Sequence, residues 1–201
     1  MPKMGYTGYI FMENQIRIAG LKIDALSKEE LLATLRSRIT ANKKTWITTL
    51  YSEFLYAALR GAQTLEMLNQ ADIAVPDGVG IFWAHKYLSI PLTTKSYYGK
   101  ILQAFWQAKY SLAAILLYPK FIKVPSADKI SGADLIWDIA KLATENNLSI
   151  YLLGGFGDTP KLVAESLVTH LNDTVSYIHG REFRKHCFLK LCVQNLQMVL
   201  F

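Results

Sequence analysis

The stretch Ala71-Asp72-Ile73-Ala74-Val75-Pro76-Asp77-Gly78-Val79-Gly80 reads as a buried strand that ends in an acidic residue between Pro and Gly, with a helix opening after it. Pro76 fixes its own φ and pushes Val75 toward an extended conformation, while Gly78 lets the backbone turn sharply. Asp77 is therefore expected to project from a strand end in a defined direction. In α/β sheets the carboxyl ends of strands are where ligands bind, which makes this carboxylate a candidate base. On the three residues Pro76-Asp77-Gly78 alone, an ordinary turn with Asp bonding local backbone is the stronger reading.

Outward from this point strands and helices alternate. Residues 16–23 alternate apolar and polar around Gly20 and predict a short strand pairing with residues 9–12. Ser27 with Glu30 three residues later has the capping-box pattern, and Leu31, Leu32, Leu35 and Ile39 give the helical stripe behind it. Residues 46–50 form a β-branched, apolar strand, after which Ser52 is placed to cap a helix carrying Phe54, Leu55, Ala58 and Leu59. A second short helix ends near Leu68, and residues 80–86 read as helical. The far half repeats the pattern: a helix from about Asp134 to Asn146, a strand over 149–153, a glycine turn, a helix from Pro160 to Leu171 and a strand over 174–178. The expected fold class is α/β, a Rossmann-like, mainly parallel sheet with helices on both faces.

The 201 residues fit one domain, residues 1–201, and 51% hydrophobic content excludes disorder. A net charge of +6 favours acidic partners such as phosphates, nucleic acid or an anionic membrane surface without choosing among them. Cys187 and Cys192 have neither metal-ligand nor CxxC spacing, so no disulfide framework is implied and a reducing cytoplasm is the default. Residues 1–15 lack the charged and apolar regions of a secretory signal.

The segment of about 87–127 differs from the rest and reads as an inserted apolar helical segment. Between Tyr97 and Tyr118 lie Ile101, Leu102, Phe105, Trp106, Leu112, Ile115, Leu116 and Leu117, while Lys100, Gln103, Gln107 and Ser111 fall on one narrow polar stripe, with Lys109 off it. The apolar stretch is too short to span a bilayer, and Pro119 is expected to end the helix. Two readings stand: a helix in a membrane interface, with Lys120 and Lys123 near lipid phosphates, or a helix buried in the domain or in a homo-oligomer interface.

Among chemistry-bearing residues, Gly154-Gly155-Phe156-Gly157 precedes a helix with Asp158 or Thr159 as cap and Pro160 at its first position. Two readings stand: free amides there suit a phosphate, or the glycines serve a tight strand-to-helix turn that needs small residues. The spacing is not GxGxxG, and the strand over 174–178 does not end in an acidic residue for a ribose, which argues against a dinucleotide oxidoreductase. Thr48 and Thr49 lie at another strand end; beside Asp77, a hydroxyl and a carboxylate would suit binding and deprotonation of a sugar hydroxyl. His85, His170, His179 and His186 lack ligand spacing, so no metal site is expected.

Taken together, residues 18–24, Thr48-Thr49 followed by Glu53, Ala71-Asp72 with Pro76-Asp77-Gly78-Val79-Gly80, Gly132-Ala133-Asp134-Leu135 and Leu152-Leu153-Gly154-Gly155 resemble the WecG/TagA/CpsF glycosyltransferase family. The resemblance covers most of residues 16–180. It implies an inverting, metal-independent transferase without cofactor, which moves an N-acetylmannosamine-type sugar from a UDP-sugar to the 4-hydroxyl of N-acetylglucosamine on a polyprenol diphosphate. The implied location is the inner, cytoplasmic face of the cell membrane, with no role for nucleic acid. By the same resemblance Asp77 is the general base and Thr49 belongs to the catalytic pocket, while Thr48, Gly78, Gly154, Gly155 and Asp134 bind substrate.

Tyr51 stands where many members have Asn, and Lys129 lies near where an Arg is common. After about Gly180 residues 181–201 do not resemble the family's continuation, and a truncation or a shifted frame is the expectation. A nucleotide-binding Rossmann-type domain and a non-catalytic membrane-associated remnant are the alternatives.

Overall fold

The computed structural model describes residues 15–117, 128–148, 150–154, 158–171, 189–193 and 196–200. It divides the chain into two units, the first of residues 1–25, 50–69 and 76–129 and the second of residues 26–49, 70–75 and 130–201.

In the first unit, β1 (Gln15–Ile18) and β2 (Leu21–Asp24) pair antiparallel, with Ile18 opposite Leu21. The two residues between them, Ala19 and Gly20, have φ of 51° and 86°. Positive φ at both positions matches the twist of a two-residue hairpin, and so the strand predicted around Gly20 folds back on itself. Residues 9–12, expected as its partner, lie outside the described residues. Asn69 clasps the hairpin: its side-chain N–H donates to the Gly20 carbonyl at 3.0 Å, and its side-chain oxygen accepts the Lys22 N–H at 2.8 Å. Ile16, Ile18, Leu21 and Ile23 are buried, with β2 against α3 (Ala62–Asn69) and β1 against α4 (Val79–Ser89).

α2 (Ser52–Arg60) buries Phe54 and Ala58. The sequence reading made Ser52 its cap; the structure instead puts Tyr51 at the N-cap and Ser52 in the first helical position, with no side-chain hydrogen bond capping the helix. α5 (Tyr97–Leu117) is a helix inside the apolar stretch of about 87–127, of which residues 118–127 lie outside the described residues. Three of the four polar-stripe residues, Gln103, Gln107 and Ser111, face inward while Lys100 is exposed: Ser111 is fully buried and accepts the Trp83 indole N–H at 2.9 Å, and the Tyr87 hydroxyl donates to the Ala104 carbonyl at 3.2 Å. Gln103 accepts the backbone N–H groups of Thr93 and Thr94. Ile101, Leu102, Phe105 and Trp106 are exposed.

The second unit begins with α1 (Lys28–Thr40), whose capping box is present: the Ser27 hydroxyl accepts from Glu30 N–H at 3.2 Å, and the Glu30 carboxylate accepts from Ser27 N–H at 2.8 Å. β3 (Thr45–Leu50), β4 (Ile73–Pro76), α6 (Gly132–Glu145), β5 (Ile150–Gly154) and α7 (Thr159–Leu171) follow in the predicted order, and their bounds fall within two residues of expectation. Leu31, Leu35, Ile47, Val75, Leu135, Ile139, Ile150 and Leu167 are buried in one cluster, each contributing about 1.5–3 kcal/mol on burial.

The sheet order is β4-β3-β7-β6-β5. β6 (Leu189–Val193) and β7 (Leu196–Leu200) come from a region where the sequence reading placed no element. β3 pairs parallel with β7, as expected of this class, whereas β5–β6 and β6–β7 are antiparallel. Strands joined by a two-residue connection can only run antiparallel, so the hairpin makes the sheet mixed. The strand expected over 174–178 lies outside the described residues.

Candidate functional site around Asp77

Asp77 follows β4 directly. Its backbone N–H donates to the Leu50 carbonyl at 2.6 Å, which ties the turn to the end of β3. Pro76 is buried and Asp77 half-buried. Gly78 has φ 83° and ψ 163°, and it is the N-cap of α4. A side chain there would meet nothing within 4 Å, so glycine is required by the backbone angle and not by crowding. The carboxylate therefore leaves a fixed backbone, anchored on one side by a hydrogen bond and on the other by a turn that only glycine adopts easily.

Two helices start beside it. Gly80, in the first turn of α4, lies so close to Ser52 in the first turn of α2 that an added Cβ would come within 3.0 Å of the Ser52 Cβ. Neither helix has a side-chain hydrogen bond from its N-cap residue, and in α2 the Phe54 N–H donates to the Tyr51 carbonyl at 3.1 Å. Amides and helix dipoles then act together on a negative charge. The Tyr51 hydroxyl donates to the Glu53 carboxylate at 3.3 Å. This closeness of the two helix starts was missed in the sequence, although the second glycine of Gly78-Val79-Gly80 signals it.

The other predicted residues belong to the second unit. Thr48 and Thr49 are buried on β3. Successive strand residues point to opposite faces, which puts Thr49 on the face of Ile47 and Thr48 on the other. The Thr48 hydroxyl is buried without a hydrogen-bond partner among the described residues, a state that costs about 1–3 kcal/mol. Asp134 is exposed in the first turn of α6, where its charge complements the helix dipole. Gly154 ends β5 opposite Leu189, and Gly155 lies outside the described residues.

Asp72, next to the Asp77 element, has a structural task. Its carboxylate accepts the Trp46 backbone N–H at 2.9 Å and the Arg38 guanidinium at 3.2 Å. Burial opposes its ionisation, but these two donors and the charges of Arg38 and Lys43 outweigh burial and hold its pKa below the ordinary value. In α4, burial and then the neighbouring Lys86 lower the pKa of His85. Among the described residues no group of three or more His, Cys, Asp or Glu is arranged to hold a metal ion.

Asp77 and the starts of α2 and α4 thus lie together at the carboxyl end of β4. Residues 16–118, half of the chain, match the family model described as Glycosyl transferase WecG/TagA/CpsF family. The chain belongs to that family, and its class of activity is glycosyl transfer. No curated protein matches the chain significantly.

Proposed function

We propose that the chain is an inverting glycosyltransferase with a Rossmann-like catalytic domain, acting in the synthesis of a cell-surface polysaccharide or teichoic acid. The donor is a UDP-sugar of the N-acetylmannosamine type. The acceptor is the 4-hydroxyl of N-acetylglucosamine on a polyprenol diphosphate, met at the cytoplasmic face of the membrane. Asp77 takes the hydroxyl proton as the acceptor oxygen bonds to the anomeric carbon; the bond from that carbon to the UDP oxygen breaks on the opposite face, which inverts the configuration. UDP leaves with the bonding electron pair. The N–H groups opening α2 and α4 offset charge on a diphosphate, and the reaction uses no metal or cofactor. The family resemblance makes Thr49 a further catalytic candidate and Thr48, Gly78, Gly154, Gly155 and Asp134 candidates for substrate binding.

The observation that carries this reading is the anchoring of the Asp77 backbone, whose N–H donates to the Leu50 carbonyl and which leads into the Gly78 turn, inside the span that matches the family. The experiment supplies the full chain with UDP-N-acetylmannosamine labelled in the sugar and a polyprenol-diphosphate N-acetylglucosamine acceptor. A labelled lipid product with inverted anomeric configuration supports the proposal. A retained configuration, or transfer to water alone, contradicts it.

A further inference from the structure

α5 is built inside out for a water-soluble surface. Its inward side carries Gln103, Gln107 and Ser111, while its outward side carries Tyr98 at 81% exposure, Trp106 at 61%, Leu102 at 59%, Phe105 at 54% and Ile101 at 53%. So large a contiguous apolar and aromatic surface marks an interaction site. No described helix is long and apolar enough to cross a membrane.

The segment that carries this face has charge of one sign, which favours an anionic partner. Between Asp77 and Asp128 the sequence contains no acidic residue, while Lys86, Lys95, Lys100 and Lys109 lie in its described part. Lys109 projects from the apolar side itself, with its ammonium 4.7 Å from the Phe105 ring centre and 5.7 Å from that of Trp106. A lysine whose ammonium rests over aromatic rings on an exposed apolar face sets a cation beside π surfaces, a pairing suited to the boundary where hydrocarbon gives way to phosphate. Tyr and Trp favour the same boundary. A symmetric pairing with a second copy would instead bring like charges together on an apolar face, because the same patch meets itself.

We infer that the outward face of α5, centred on Leu102, Phe105, Trp106 and Lys109, seats the protein on an anionic phospholipid surface with the helix lying in the plane of the interface. This deepens the membrane-face part of the proposed function, and its test uses neither donor nor acceptor. Loss of transfer with binding intact would then strike the chemistry, and loss of binding strikes only the surface.

The full chain is floated with vesicles of phosphatidylcholine alone and of phosphatidylcholine with phosphatidylglycerol. Binding is expected on the anionic vesicles and to weaken at high salt. The double variant Leu102→Ser, Trp106→Ser should reduce partitioning about tenfold or more, and Lys109→Glu should reduce it on anionic vesicles specifically. Leu59→Ser, which alters an exposed apolar residue of α2, should leave it unchanged. Circular dichroism melts check that each variant is folded. Equal binding of wild type and the double variant overturns the inference. So does absence of vesicle binding, with or without lipid-free self-association that the same double variant abolishes.

Discussion

α6 and α5 are both amphipathic helices, yet they are turned opposite ways. α6 sends Leu135, Ile136, Ile139, Ala140, Leu142 and Ala143 into the core of the second unit. α5, in the first unit, turns Gln103, Gln107 and Ser111 inward and leaves its aromatic residues outside. The difference teaches that periodicity announces two faces without saying which one the fold will cover. For α6 the apolar side joins one buried cluster with Ile47, Val75 and Ile150 of the strands. For α5 the facing surface offers the Trp83 indole N–H, the Tyr87 hydroxyl and the backbone groups of residues 91–94, which call for polar partners.

The largest test of this contrast is truncation on each helix. Ile139→Ala should cost about 2–5 kcal/mol in urea unfolding, because it opens a cavity in a sealed cluster. Leu102→Ala should change stability by no more than about 0.5 kcal/mol. Equal losses would mean that α5 packs by its apolar face after all. A smaller effect is expected at the inward polar contact: Ser111→Ala strips the Trp83 N–H of its acceptor and should cost about 1–3 kcal/mol, read by the same unfolding midpoint. Were the polar side of α5 solvated, that substitution would be silent.

The polar clamp at the start of β3 and β4 gives the smallest effect. Asp72→Asn should cost about 1 kcal/mol, since the site is partly open to solvent. The folded pKa of Asp72 lies below its unfolded value. Its contribution is therefore present above the unfolded value, near pH 3.9, and is lost as pH falls through the lower folded value. The difference in stability between wild type and Asp72→Asn should shrink over that window, as followed by acid titration of the unfolding midpoint.

Much of the second unit was legible because its signals are local. The Ser27 and Glu30 pair marks a helix start wherever it lies, and the apolar stripe of residues 31–39 needs no partner to be recognised. The Asp77 turn was legible for the same reason, since Pro76 and Gly78 act on their own backbone. What sequence could not supply was pairing. Nothing in residues 189–200 says that they will insert between β3 and β5, because that choice depends on strands far away in the chain. The likeness of Ser52 to a cap was misleading, since the backbone puts Tyr51 at that position. Thr48 and Thr49 read as a pair only until the pleat sends them to opposite faces.

The account turns on the Asp77 carboxylate acting as the base, and the most direct measurement is the rate of sugar transfer by Asp77→Asn at saturating donor and acceptor. The substitution keeps the shape and the Leu50 anchor of the turn while removing the group that takes the proton. The account predicts a fall of about 10²–10⁴-fold with UDP-sugar binding retained. A rate equal to that of the wild type would contradict it.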